Sequence, residues 1–265
     1  MRVLAAMLLA LALVGGAPGA EPPETMAPGV LTVGLNLPSS GFQVGAVLPD
    51  NSVVAERGLE IDFARSLAAR LGIRKVAFVN ERSFTRLLAP GNKSWDVALA
   101  EVTITPGRRQ NVDLSPAYLR ADQGVLMRKS IAVPKSLAAL ARLRICVQRG
   151  TTSVKVVRER VRPTRAPFFF ASLELLFDAL RVGRCDAVVL DAPILAAERA
   201  SVPDRYGPLA GRLRTNEQYG VVLRKDSPLS DRVDDAVRAL VADGTMSRLQ
   251  KRWLMTDLRR LPVLR

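Results

Sequence analysis

From residue 31 onward, short apolar runs alternate with segments whose hydrophobic residues recur every three or four positions. The run at 31–35 predicts a buried strand. Phe63, Leu67 and Leu71 lie four positions apart and predict an amphipathic helix over 60–71. The elements that follow are a strand, a helix and a strand, at 75–79, 83–88 and 97–100. This β-α-β-α-β order predicts a parallel sheet with right-handed crossovers.

The second half of the chain repeats the same alternation. Predicted strands lie at 144–148, 168–170, 187–190 and 218–223. Helical stripes lie at Val154, Val157 and Val161; at Leu173, Leu176, Phe177 and Leu180; at Val233, Ala236, Val237, Leu240 and Val241; and at Met246, Leu249 and Trp253. Two α/β units of about equal size predict two lobes, each with its own sheet flanked by helices.

Polar segments follow the ends of several predicted strands. Loops lie at 36–42, 101–109 and 149–153, and Asp191 follows a fourth strand. Ligands bind outside the carboxyl ends of strands in open α/β sheets. If the two lobes face each other, these four features belong to one cleft.

The N-terminal twenty residues are typical of a secretory signal peptide. Arg2 is followed by an unbroken apolar run over 3–14, and small residues precede Glu21. A twelve-residue run is shorter than the ~20 residues that a membrane anchor needs. We therefore predict that 1–20 is cleaved and that the protein is periplasmic or secreted.

The formal net charge of +14 raises the question of nucleic-acid binding. The basic residues are scattered, and aromatic residues make up only 5% of the chain, which leaves few platforms for stacking bases. We interpret the charge as a solvated basic surface, which favours an acidic partner or an anionic membrane face, and expect no nucleic acid as a partner.

Cysteine and histidine content limits the possible chemistry. Cys146 and Cys185 lie beside predicted strands, and an exported protein meets an oxidising environment, so we predict a disulfide, with two buried thiols as the alternative. The chain contains no histidine. This excludes histidine metal sites, Ser-His-Asp triads and Cys-His dyads, and we expect no metal and no cofactor.

Several segments, in chain order, resemble the bacterial extracellular solute-binding proteins of family 3, the polar amino-acid receptors of ABC importers. They are GLEIDF (58–63), TITPGRR (103–109), VDLSPAY (112–118), VQRGTT (147–152), GRCDAVVLD (183–191), YGV (219–221), DG (243–244) and WL (253–254). The resemblance covers nearly all of the chain after the predicted signal peptide.

This resemblance implies a two-lobed periplasmic-binding-protein-like fold (type II), with the ligand cleft between the lobes. We expect a discontinuous first lobe, 28–124 with 225–258, and a second lobe at 125–224. It further implies capture of a small α-amino acid, delivery to an ABC permease in the membrane, and no catalysis. We expect the protein to act as a monomer.

The resemblance places the ligand's carboxylate at Arg108. A planar guanidinium can bind a carboxylate through two charge-assisted hydrogen bonds. Thr103, Thr151 and Thr152 would add hydroxyl or backbone N–H groups. Arg109 is interpreted as a solvated neighbour, and a purely surface position for Arg108 is the alternative.

The ligand's α-ammonium is assigned by the resemblance to Asp191, from the second lobe. A zwitterion bound between Arg108 and Asp191 would favour closure of the cleft. The alternative is that Asp191 caps the helix that begins with Ala192 and Pro193, because proline is favoured in the first turn.

The residues around the ligand's side chain depart from the family pattern. Phe42 matches the aromatic of the first loop, and Asn36 stands where receptors for cationic amino acids often have Asp. Glu101 replaces a small residue, so its carboxylate would meet a second positive group on the ligand or reinforce the site for the first. Glu60 and Asp62, in the first turn of a predicted helix, are interpreted as structural rather than as a catalytic pair.

Two other functional classes stay open from sequence. Some cyclohexadienyl dehydratases resemble this fold, and Glu101 is the one obvious candidate for the acid that such an enzyme needs. A sensory or accessory binding module without a permease is the third class.

Overall fold

The computed structural model describes residues 23–254 and 258–265, so the predicted signal peptide at 1–20 lies outside the described residues. The strands are β1 (Val30–Leu35), β2 (Val44–Val47), β3 (Val53–Arg57), β4 (Lys75–Asn80), β5 (Val97–Ala98), β6 (Val112–Leu114), β7 (Leu119–Met127), β8 (Ile145–Gln148), β9 (Phe168–Phe170), β10 (Ala187–Asp191), β11 (Leu209–Tyr219) and β12 (Val222–Arg224).

The helices lie mostly between these strands. They are α1 (Leu59–Arg70), α2 (Phe84–Leu87), α3 (Pro106–Arg109), α4 (Leu137–Ala141), α5 (Ser153–Val156), α6 (Leu173–Arg181), α7 (Ala192–Ser201), α8 (Ser230–Ala242) and α9 (Thr245–Trp253). A π-helical turn continues α5 at Val157–Val161, and a 3₁₀ helix lies at Leu258–Arg260. Within 23–254 and 258–265, no helix is both long and apolar enough to cross a bilayer.

The strands form two five-stranded sheets and a separate hairpin. The first sheet has the order β4-β1-β5-β12-β6, and the second has the order β11-β7-β10-β8-β9. In each sheet the βαβ strands pair in parallel, while strands that arrive from the other lobe pair antiparallel. The two-lobed α/β architecture predicted from the sequence is therefore confirmed.

The chain crosses between the sheets at two adjacent points. It leaves the first sheet after β6 and enters the second at β7, and it returns between β11 and β12. The two crossings touch, because the backbone N–H of Tyr118 donates to the carbonyl of Tyr219 at 3.0 Å. Paired crossings of this kind are typical of a hinge between lobes.

The prediction of a single strand at 218–223 is wrong, because the chain crosses between the sheets within this run. That run is divided between β11 and β12, in different sheets, at Gly220. A Cβ at Gly220 would lie 3.1 Å from the carbonyl oxygen of Ser115. The close approach of the two crossing backbones therefore interrupts an otherwise apolar run.

The core follows the predicted apolar positions. In α1, Leu59, Ile61, Phe63 and Leu67 are fully buried against the first sheet. In the second lobe, the predicted disulfide between Cys146 and Cys185 is present, with Cα atoms 5.9 Å apart, and both cysteines are buried. It links β8 to the segment that leads into β10.

Candidate ligand-binding site

A small cavity lies between the two lobes, where the predicted polar loops meet. Its volume is about 20 Å³, which is room for about one water molecule. It is lined by Asn36, Phe84, Ala100, Glu101, Thr103, Arg108, Gln148, Thr151, Thr152, Leu173, Leu190, Asp191 and Ile194. Both lobes contribute residues, so the lobes are closed on each other in this structure.

Arg108 lies on the short helix α3, whose N-cap Thr105 accepts a hydrogen bond from the Arg108 backbone N–H. Its guanidinium donates to the carbonyl of Thr103 at 2.6 Å and, across the cleft, to that of Gly150 at 3.1 Å. It also lies 5.4 Å from the centre of the Phe84 ring. A guanidinium has five N–H donors, so these bonds leave donors for a bound carboxylate.

Burial lowers the pKa of Arg108, and the nearby carboxylates of Asp191 and Glu217 oppose that shift. A guanidinium nevertheless stays charged in proteins. Arg109, by contrast, is exposed and donates to the carbonyl of Leu114 at 2.7 Å. Of the two adjacent arginines, only Arg108 lines the cavity.

Asp191 reaches the cavity from the second lobe. It occupies the N-cap position of α7, but its side chain makes no capping hydrogen bond. Instead, its carboxylate accepts from the hydroxyl of Tyr219 at 2.7 Å and from the side-chain amide of Gln123. Burial, together with the charge of Glu217, raises the pKa of Asp191 to about 7. The helix-cap alternative thus accounts for its position and not for its side-chain contacts.

Glu217, on β11, binds two of the threonine hydroxyls that the family resemblance assigns to the ligand. Its Oε2 accepts from the hydroxyls of Thr103 at 2.9 Å and Thr152 at 2.7 Å, and from the amide of Gln123 at 3.2 Å. Thr103 belongs to the first lobe and Thr152 to the second. The carboxylate of Glu217 therefore joins the two lobes inside the closed cleft.

Sequence reasoning missed Glu217 and Gln123 as site residues. Glu217 and Tyr219 are two positions apart on one strand and so point to the same face. Gln123 lies directly opposite Asp191 in the antiparallel pair of β7 and β10. The signal available in the sequence was a glutamine at the start of the run 123–127, which is otherwise free of polar side chains.

Glu101 is the second buried acid of the cavity. Its backbone has φ of 48°, in the left-handed region, which few residues other than glycine adopt. Its backbone N–H donates to Glu60 at 2.9 Å, and its side-chain Oε1 is buried without a hydrogen bond in the described part of the chain. Burial, followed by the charges of Glu60 and Asp191, raises its pKa well above the ordinary range.

Glu60 lies behind Glu101 and is held by donors on all sides. Its carboxylate accepts from the Tyr118 hydroxyl, the Gln43 side-chain amide and the Glu101 backbone N–H. Burial raises its pKa, while these three hydrogen bonds oppose the shift. This network joins α1 to the first crossing and supports the structural interpretation of Glu60.

The remaining predicted residues are placed as follows. Asn36 lines the cavity and donates from its side-chain amide to the carbonyl of Glu81 at 2.7 Å. Thr151 also lines it, and its hydroxyl donates to the carbonyl of Gln148 at 2.8 Å. The structure does not bring Phe42 to the cavity: its ring is fully buried in the core and lies 6.4 Å from that of Tyr219.

Known proteins share both the sequence pattern and this fold. The glutamine-binding protein GlnH of an ABC transporter of Bacillus subtilis (strain 168) is 29% identical over 204 residues, which are 76% of this chain and 73% of that protein. The structure of an ancestral arginine-binding protein bound to glutamine is 29% identical with a TM-score of 0.74, covering 87% of this chain and all of the other.

A third similar protein is the ancestral amino acid-binding protein AncCDT-1, described as a precursor of cyclohexadienyl dehydratase. It is 30% identical with a TM-score of 0.72, covering 85% of this chain and 96% of the other. The model of the bacterial extracellular solute-binding proteins, family 3, matches residues 48–256. The chain therefore belongs to the bacterial extracellular solute-binding proteins of family 3.

Proposed function

We propose that this protein captures a small α-amino acid between its two lobes and delivers it to an ABC importer. The observation on which this rests is that Arg108 and Asp191 line one cavity from opposite lobes. An α-amino acid carries a carboxylate and an ammonium on neighbouring atoms, so a single head group can bridge the two side chains. The similar GlnH is named as the glutamine-binding protein of an ABC transporter.

In this proposal Arg108 binds the ligand's carboxylate and Asp191 its ammonium. Charge-assisted hydrogen bonds of this kind contribute ~1.5–3 kcal/mol each. Thr103, Thr151 and Thr152 complete the carboxylate site, once Glu217 has released the two hydroxyls that it now binds. The ligand's carboxylate thus replaces the carboxylate of Glu217 at these hydroxyls.

Closure follows from the division of the site between the lobes. Both partners of the head group are available only when the lobes are together, so the ligand binds the closed state more tightly than the open one. A receptor that closes around its ligand presents a distinct shape to a permease. We propose that the receptor is exported through the signal peptide at 1–20, acts as a monomer in the periplasm or outside the cell, and catalyses no reaction.

A thermal-shift screen over the common amino acids tests this function. The protein is first unfolded, dialysed and refolded so that no ligand remains from expression. An amino acid present at a hundred times its Kd stabilises the folded state by about 2.7 kcal/mol. At ~2–4 °C per kcal/mol, this raises Tm by roughly 5–10 °C. If no amino acid raises Tm, the proposed function is wrong.

A dehydratase activity is the second candidate, and one observation favours testing it. Glu101 is a buried acid whose raised pKa keeps a proton available in the cleft, as a general acid requires. AncCDT-1 is also described as a precursor of such an enzyme. We expect incubation with prephenate or arogenate to yield no product, and steady turnover would replace the transport function with an enzymatic one.

A further inference from the structure

The charges around the cavity do not balance for a simple amino acid. Among the described residues that line the cavity, the ionisable side chains are Glu101, Arg108 and Asp191. An amino-acid head group, bound as proposed above, pairs its carboxylate with Arg108 and its ammonium with Asp191. Glu101 is then an additional acid of the cavity, beyond the pair that binds the head group.

Glu101 is also the acid whose side chain the protein does least to satisfy. It is 6% exposed, and its Oε1 accepts no hydrogen bond within 23–254 and 258–265. The neighbouring Glu60 is fully buried but receives three hydrogen bonds, from Tyr118, Gln43 and the Glu101 backbone. The nearby Ser39 hydroxyl opposes the rise in the pKa of Glu101, yet neither Ser39 Oγ nor Glu101 Oε1 has a hydrogen-bond partner among the described residues. A buried acceptor without a formed hydrogen bond is unfavourable, so Glu101 differs from an ordinary structural acid.

The surroundings of Glu101 add negative potential rather than relieving it. The charges of Glu60 and Asp191 both act on its carboxyl group. Arg108 donates to the carbonyls of Thr103 and Gly150 and is not one of its hydrogen-bond partners. A donor with a positive charge would satisfy Oε1 and offset this cluster at the same time.

We propose that Glu101 binds a second positive group of the ligand, so that the protein selects α-amino acids with a cationic side chain. This inference rests on the proposed function, because Arg108 and Asp191 must hold the head group. Because the cavity has room for about one water molecule in this structure, the lobes must part to admit such a ligand, whose side chain then meets Glu101 of the first lobe. Asn36, also of the first lobe, offers amide dipoles and no charge of its own.

The effect of the second charge is large because the Glu101 side chain is buried. Charged hydrogen bonds are about twice as strong as neutral ones, and their strength rises in a low-dielectric interior. We expect a cationic ligand to bind at least about tenfold more tightly than a neutral ligand of the same shape, which corresponds to ~1.4 kcal/mol.

Matched ligand pairs test this inference by calorimetric titration. Arginine and citrulline have almost the same shape and differ in side-chain charge, and ornithine and norvaline differ by one ammonium group. Each ligand is titrated into the wild-type protein, into Glu101→Gln, and into the control Glu56→Gln. Glu56 lies on β3 with its side chain 54% exposed, outside the cavity.

The wild-type protein and Glu56→Gln should prefer the cationic member of at least one pair by about tenfold or more. Glu101→Gln should lose this preference by weakening the cationic ligand while leaving the neutral one little changed. The neutral ligand and the Tm of each variant report whether the site is still folded.

Three results would overturn the inference, and they separate it from the proposed function. Equal affinity of the wild-type protein for cationic and neutral members excludes selection by side-chain charge while leaving amino-acid binding intact. Equal weakening of both members by Glu101→Gln would mean that Glu101 meets the α-ammonium instead. If no amino acid binds the wild-type protein, both the inference and the proposed function are wrong.

Discussion

Asp191→Asn should make the empty protein more stable while weakening its binding of ligand. The substitution keeps the shape of the side chain and removes its charge. Tyr219 and Gln123, which donate to the carboxylate, can still form hydrogen bonds with an amide. The main change is therefore the loss of a buried negative charge whose hydrogen-bond donors are both uncharged.

The magnitude follows from the pKa of Asp191, which rises from its ordinary value of 3.8 to about 7 in the folded protein. The folded state binds this proton more tightly than the unfolded chain does. Below about pH 4 the acid is protonated in both states, so it does not lower the free energy of unfolding. As the pH rises from 3.8 to about 7, stability is progressively lost. At ~1.4 kcal/mol per pH unit, the ionised carboxylate destabilises the empty protein by about 4 kcal/mol above pH 7.

Urea unfolding of both proteins at several pH values between 4 and 8 measures this effect. The free energies of unfolding should agree near pH 4, and the Asn variant should become the more stable protein by up to about 4 kcal/mol at pH 8. Its affinity for amino acids should fall at least about tenfold, because the ammonium loses a charged partner. A variant that is less stable at pH 8, or a difference that does not change with pH, would refute the reasoning.

Three further experiments test the roles of Arg108, Glu217 and the disulfide. Arg108→Ala should lower affinity for any carboxylate ligand at least about a hundredfold, because two charge-assisted bonds are lost, whereas Arg109→Ala should leave the Kd unchanged in the same titration. Glu217→Ala should raise affinity by about tenfold, because the ligand no longer displaces a carboxylate from the threonine hydroxyls; weaker binding would show that this acid helps to hold the ligand. The free energy of unfolding of the double variant Cys146→Ala, Cys185→Ala should be lower by about 4 kcal/mol, because the disulfide closes a loop of 39 residues. An unchanged urea midpoint would contradict this.

The architecture was largely predictable because each lobe repeats a local pattern. Phe63, Leu67 and Leu71 mark one face of α1, and the structure places that helix within about one residue of the prediction at each end. The division at Gly220 could not be predicted in this way. Apolar runs do not report where a backbone crosses from one sheet to another, and the break is explained by the close approach of Ser115 and Ile104 to Gly220.

The site was predictable where its residues follow strand ends and was missed elsewhere. Arg108 and Asp191 follow predicted strands, and the structure places both on one cavity. Gln123 and Glu217 enter from the antiparallel strands β7 and β11, whose pairing depends on contacts between distant parts of the chain. Phe42 matched a family position, yet it packs in the core against Tyr219.

A crystal structure of the complex with the amino acid that most raises Tm would show whether Arg108 and Asp191 hold the ligand's head group. The ligand should lie between the lobes, with its carboxylate on the guanidinium of Arg108 and its α-ammonium on the carboxylate of Asp191. Glu217 should have left the hydroxyls of Thr103 and Thr152. A ligand that binds outside this cleft, or that leaves Arg108 and Asp191 without contact to its head group, would contradict this binding mode.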